Sequence, residues 1–186
     1  MARPSRVTVL AEDRRQQQLI FRYLRRIGLE IHAMRLLLPS AGSGEQWVRE
    51  QLSKELSEYR RRSARAETKL IAVTDADTLS VEERLAQLDR RLTDDGVDLI
   101  RMDGEQVARL IPKRNIETWL LCLNENVVEE GKEDYKRTRH DWDDLIQPAA
   151  NTLYAWTRPN ARIPDHCVPS LRHAIGELRR LDFSGA

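Results

Sequence analysis

Residues 69–77 read KLIAVTDAD, an unbroken apolar run that ends abruptly in two acids. A short run of this kind, rich in Ile and Val, is typical of a strand that is buried on both faces. Ser80 and Glu83 follow with the spacing of a capping box, which marks the start of a helix. The stretch therefore predicts a central strand that delivers Asp75 and Asp77 to the turn before that helix.

The same order of strand and helix recurs on both sides of this stretch. Three more apolar runs predict strands over 7–11, 29–38 and 97–102. Helical periodicity between them predicts an α/β fold with a mostly parallel central sheet flanked by helices. From residue 115 onward the pattern is helical, so we expect an α/β core over 1–112 and a helical C-terminal extension, packed on that core, over 113–186.

Composition restricts the class of protein. Of the 186 residues, 33% are charged, and the 31 Lys and Arg nearly balance the 30 Asp and Glu. No stretch approaches the roughly 20 apolar residues that a membrane-spanning helix needs, and the N-terminus lacks the apolar segment of a signal peptide. Cys122 and Cys167 are too few for a disulfide framework or a structural zinc site. We expect a cytoplasmic protein with no membrane partner.

Acids follow two of the predicted strands. Glu12 comes directly after the first strand, and Asp75 and Asp77 come after the third. Sites in open α/β sheets form at the carboxyl ends of strands, so these three carboxylates converge if their strands are neighbours. Carboxylate oxygens suit Mg²⁺ or Mn²⁺, which supports phosphoryl chemistry. The alternative is that each Asp only caps the helix that follows it.

These segments resemble the Toprim domain. The resemblance lies in residues 7–12 (VTVLAE) and 71–77 (IAVTDAD), within a match that covers roughly residues 6–102. It implies a Rossmann-like fold in which Glu12, Asp75 and Asp77 bind Mg²⁺ or Mn²⁺ as the catalytic centre. It also implies that the glutamate acts as a general acid or base. Members of the family include topoisomerases, primases and nucleases.

A second segment narrows the resemblance. Residues 111–121, IPKRNIETWLL, are similar to a Pro-x-x-x-x-Glu-x-Trp-Leu stretch in small RloB-like Toprim proteins of bacterial defence loci. Glu117 is a candidate fourth catalytic carboxylate, or else a first-turn acid favoured by the helix dipole. Lys113 and Arg114 precede the predicted helix, where phosphate meets free N–H groups, and Arg14 is a third candidate phosphate ligand.

The loop before the second predicted helix has two interpretations. Ser43 and Gln46 have the spacing of a capping box. Gly42 and Gly44 would also let the backbone approach a phosphate closely, although the motif lacks the residues of a P-loop. The sequence leaves both interpretations open.

The functional prediction is a metal-dependent nuclease that hydrolyses phosphodiester bonds in DNA or RNA, with a role in anti-phage defence. The alternative is a non-enzymatic Toprim-like subunit of a multi-gene defence system that binds nucleic acid or the protein product of a neighbouring gene. A third hypothesis is a nucleotide-binding domain of receiver-like type. The sequence leaves open whether the chain forms a homodimer.

Overall fold

The computed structural model describes residues 6–183. The strands are β1 (Arg6–Ala11), β2 (Met34–Leu37), β3 (Thr68–Val73) and β4 (Val107–Leu110). The α-helices are α1 (Arg14–Ile27), α2 (Gly44–Ser63), α3 (Val81–Asp94), α4 (Ile116–Leu123), α5 (Trp142–Thr157) and α6 (Pro169–Arg179). Short 3₁₀ helices cover Ile31–Ala33 and Tyr135–Arg137. Within this range no helix is both long enough and apolar enough to cross a bilayer.

The four strands form one sheet in the order β2-β1-β3-β4, and every neighbouring pair is parallel. The predicted α/β class with a parallel sheet and flanking helices is therefore confirmed, and the arrangement is Rossmann-like. All six residues of β3 are buried: Leu70, Ile71, Ala72 and Val73, as the apolar run predicts, and also Thr68 and Lys69. Ala11 pairs with Val73, so β1 and β3 end side by side at the same edge of the sheet.

Helices cover both faces of the sheet because strand side chains alternate between them. Val9 and Ile71 belong to the core that α1, α4, α5 and α6 share. Leu10 and Leu70 belong to the core under α2 and α3. The C-terminal helices α4, α5 and α6 thus pack against the same face of the sheet as α1. The predicted boundary between a core over 1–112 and an extension over 113–186 stays a prediction.

The helix termini follow the sequence signals closely. Asp13 caps α1 through its side chain, and Gly28 ends that helix with a φ of 115°. Ser80 and Glu83 form a reciprocal capping box at α3. Ser43 accepts a hydrogen bond from the third residue of α2, so its predicted capping role is confirmed. These caps place the N-termini of all three helices at the carboxyl edge of the sheet.

The strand predicted over 97–102 was wrong, and the fourth strand is Val107–Leu110. Arg60 donates to the carbonyls of Asp98 and Leu99 at 2.9 and 2.8 Å, so these backbone groups are bound to a side chain. Leu99 is half exposed, although its apolar character suggested burial. The charge of Arg109 obscured the true strand in the sequence, since this side chain leaves the sheet to pair with an acid on α3.

The second predicted strand was too long. Only Met34–Leu37 of the predicted stretch 29–38 pairs with β1. The residues before it form a 3₁₀ turn in which the Ala33 N–H donates to the Glu30 carbonyl at 3.0 Å. That turn uses backbone groups that a longer strand would need for its ladder.

Candidate metal centre

Glu12 and Asp75 meet at the edge where β1 and β3 end. Oε2 of Glu12 accepts hydrogen bonds from the Thr74 hydroxyl at 2.9 Å and from the Asp75 N–H at 3.0 Å. Thr74 and Asp75 follow Glu12 by 62 and 63 positions in the chain. The parallel pairing of β1 and β3 produces the contact, because it brings these distant residues to the same edge of the sheet. Two of the three predicted metal ligands therefore lie next to each other.

Gln16 ties these two acids together. Its Oε1 accepts from the Glu12 N–H at 2.9 Å, and its Nε2 donates to Oδ1 of Asp75 at 2.8 Å. The side chain is fully buried in the first turn of α1. Sequence reasoning missed this residue. The available signal was a polar residue that shares the helix face of Leu19 and Tyr23, where periodicity predicts apolar packing.

Gly44 forms one wall of the site. A Cβ placed on this residue would lie 2.3 Å from Cγ and 2.6 Å from the carbonyl oxygen of Glu12. Distances this short exclude every side chain larger than hydrogen. The glycine is thus needed for the close approach of the α2 N-terminus to Glu12, a role that sequence reasoning did not assign.

Asp77 lies on the solvent side of the site. It adopts a left-handed conformation with a φ of 53°, and its side chain is 58% exposed. Arg84, a buried residue of α3, reaches it at 3.3 Å and reaches Glu45 at 2.6 Å. The third predicted ligand is therefore paired with an internal cation that the sequence did not single out.

Glu117 is buried in the first turn of α4. Its Oε1 lies 2.6 Å from the guanidinium of Arg15, which follows Glu12 by three positions. The helix that carries Glu117 thus faces the start of α1, and the acid belongs to the same electrostatic cluster as Asp75. Like Asp77, it has an arginine as its immediate partner.

Burial and crowding of charge raise the pKa of the Asp75 carboxyl well above its ordinary value. Burial contributes most, and the charges of Glu12, Asp13, Glu117 and Asp77 add to it. Burial also raises the pKa of Glu12, against the opposing effect of its hydrogen bonds from Asp75 and Thr74. The ionised form of both acids is therefore disfavoured, and binding a proton or a cation would stabilise them.

Glu12 and Asp75 supply part of the ligand set that a magnesium or manganese ion needs. Within residues 6–183, no three His, Cys, Asp or Glu side chains are already gathered closely enough to hold a metal. Glu12 and Asp75 nevertheless each present a second carboxylate oxygen that accepts no hydrogen bond from this part of the chain. Two carboxylates completed by waters and substrate phosphate are the usual protein environment of Mg²⁺.

The three predicted phosphate ligands have different side-chain surroundings. Lys113 donates to the Leu79 carbonyl and lines a cavity of about 190 Å³ beside the start of α6. Arg114 donates to the Gly131 carbonyl at 3.4 Å. Arg14 is exposed and lines a different cavity, of about 200 Å³, between α1 and α5. Of the three, Arg14 follows Glu12 most closely in the chain.

No family model, curated protein or solved structure matches this chain.

Proposed function

We propose that the protein is a Toprim-like, metal-dependent nuclease that hydrolyses phosphodiester bonds in DNA or RNA, with a role in anti-phage defence. The observation that carries the proposal is the contact between Glu12 and Asp75 at the ends of β1 and β3. These two acids are buried or half-buried and have raised pKa values, and Gln16 links the main chain at Glu12 to the carboxylate of Asp75. A divalent cation would stabilise such a site.

Each residue of the site has a distinct role in this proposal. Asp75 and Glu12 would hold Mg²⁺ or Mn²⁺. Gln16 orients the Asp75 carboxylate and anchors the main chain at Glu12, while the Thr74 hydroxyl and the Asp75 N–H orient the Glu12 carboxylate. The ion would polarise a phosphate oxygen and acidify a bound water. The resemblance to the Toprim domain adds a role for Glu12 as a general acid or base during hydrolysis. Asp77 and Glu117 would join the site only after leaving their arginine partners.

One observation favours the alternative of a non-enzymatic subunit that binds nucleic acid or the product of a neighbouring gene. Two of the four predicted catalytic acids are already neutralised by arginines, and no three-ligand group is assembled in the described part of the chain. A protein that only binds a partner has no need to release these acids.

The two proposals are separated by a cleavage assay on labelled single- and double-stranded DNA and RNA. Wild type, Asp75→Asn and the exposed-site control Asp103→Asn are each incubated with Mg²⁺, Mn²⁺ or EDTA, and circular dichroism confirms that all three are folded. The nuclease proposal expects cleavage with metal by wild type and Asp103→Asn only. An absence of cleavage by folded wild type with either metal overturns it in favour of the binding subunit.

A further inference from the structure

A row of polar and cationic side chains runs along α1 from the candidate metal centre. Arg14, Gln18, Arg22 and Arg26 follow one another at steps of four residues, and all three arginines are exposed. At a rise of about 1.5 Å per residue, Arg14 and Arg26 are about 18 Å apart along the helix. In a B-form duplex that length spans about five phosphates of one strand, at a rise of about 3.4 Å each.

An acid beside this row is Asp143, which lines the same cavity as Arg14 and Arg22 but pairs with neither of them in the described part of the chain. Within residues 6–183, Arg14, Arg22 and Arg26 form no ion pair and no hydrogen bond, whereas Arg15 and Arg25 on the same helix are paired with Glu117 and Glu30. Unpaired guanidinium groups in a row make a strip of positive potential on an almost neutral protein. Such a strip attracts a polyanion, and the planar guanidinium fits phosphate oxygens.

Helix α5 turns this row into a groove. Arg14, Gln18 and Arg22 line one side of the cavity of about 200 Å³, and Asp143, Ile146 and Gln147 of α5 line the other.

Farther along, Tyr154 of α5 is flanked by two arginines. The guanidinium of Arg26 lies 5.5 Å from the centre of its ring, and that of exposed Arg158 lies 5.8 Å from it. Arginines beside an aromatic ring are the combination that binds a phosphate and stacks on a base. We call the surface made by the cavity between α1 and α5, including Asp143, together with Tyr154 and its two arginines the α1 groove.

We propose that the α1 groove is the track that holds a nucleic-acid strand by its phosphodiester backbone and leads it to Glu12 and Asp75. This inference rests on the proposed function and adds the path of the substrate. The groove begins at the site, since Arg14 is the first residue of α1 and follows Glu12 by two positions. Backbone contacts of this kind are independent of base sequence and strongly dependent on salt.

The test measures binding of fluorescein-labelled 20-nucleotide single-stranded DNA and of the matching duplex by anisotropy in EDTA, where cleavage cannot interfere. The triple variant Arg14→Gln/Arg22→Gln/Arg26→Gln is compared with Arg61→Gln/Arg62→Gln/Arg90→Gln. The control removes the same charge from exposed positions on α2 and α3, which cover the opposite face of the sheet.

We expect the groove variant to bind the single strand about tenfold or more weakly than wild type, with a salt dependence of log K about 2 units shallower. The control should stay within about twofold of wild type. Equal losses in both triple variants, wild-type affinity in the groove variant, or no binding by wild type would each overturn the groove. Binding without cleavage would leave the groove standing and overturn the nuclease. If the groove variant cleaved at the wild-type rate, the groove proposal would be overturned and the nuclease proposal would stand.

Discussion

The buried guanidinium of Arg84 lies 3.3 Å from the carboxylate of Asp77 and so partners one of the three acids predicted to bind a metal. Arg15 holds Glu117 in the same way at 2.6 Å. Glu12 and Asp75, in contrast, accept hydrogen bonds only from neutral groups, among the residues that the structure describes. Arginines therefore partner Asp77 and Glu117, whereas Glu12 and Asp75 have no cationic partner among the described residues.

Replacing Arg84 by Gln should strengthen metal binding, because Asp77 would then be free to contribute a ligand. The pair is partly exposed and contributes about 1 kcal/mol at most, so we expect the Mn²⁺ dissociation constant to fall by up to about fivefold. Isothermal titration with Mn²⁺ measures the change.

The control is Arg91→Gln on the same helix, since Arg91 pairs with Asp95 away from the site. Unchanged Mn²⁺ affinity in Arg84→Gln would show that Asp77 takes no part in holding the ion. The free energy of unfolding of Arg84→Gln should also fall by about 1–3 kcal/mol, because Glu45 loses its buried partner.

Gly44→Ala should destabilise the protein by about 1–3 kcal/mol, because the added methyl group collides with the backbone of Glu12. Chemical denaturation measures the loss. Gly176→Ala in α6 is the matched control, since a Cβ there meets nothing within 4 Å and alanine favours a helix by about 0.5–1 kcal/mol. If both variants were stabilised, the close approach of α2 to Glu12 would be refuted.

Asp75→Asn should raise the melting temperature in EDTA at pH 8. The pKa of Asp75 is higher in the folded than in the unfolded protein, so its contribution to stability is fully present below the unfolded pKa. That contribution is lost as the pH rises through the folded pKa.

Removing the charge should therefore add about 2–4 °C, the response of a domain of this size to ~1 kcal/mol, and the gain should shrink toward pH 4. Asp103→Asn, in an exposed turn, is the control and should show no such pH dependence. A gain that is equal at both pH values would contradict the assignment to Asp75.

Gln16→Leu should cost about 1–3 kcal/mol, since it leaves the buried Glu12 N–H and one oxygen of Asp75 without their partner. Gln17→Leu, at the next position on α1, is the comparison and should change stability by less than about 0.5 kcal/mol. Urea unfolding of both variants gives the difference. Equal stability of the two variants would mean that the glutamine does not organise the site.

Local sequence was sufficient for most of the secondary structure. The apolar run of β3, the cap at Asp13 and the capping box at Ser80 each act over a few residues, so their outcome could be predicted from a short window. The fourth strand could not, because Arg60, distant in the chain, binds the carbonyls of the segment that had the better strand pattern.

The sequence by itself determined that Glu12 and Asp75 follow buried strands, because each acid directly ends an apolar run. Only the tertiary structure decided that β1 and β3 are neighbours, which is what brings the two acids into contact. It also decided the partners of the acids: Gln16 and Arg84 reach them through the packing of helices against opposite faces of the sheet. Such contacts depend on the three-dimensional arrangement of distant segments, and no local pattern of residues encodes them.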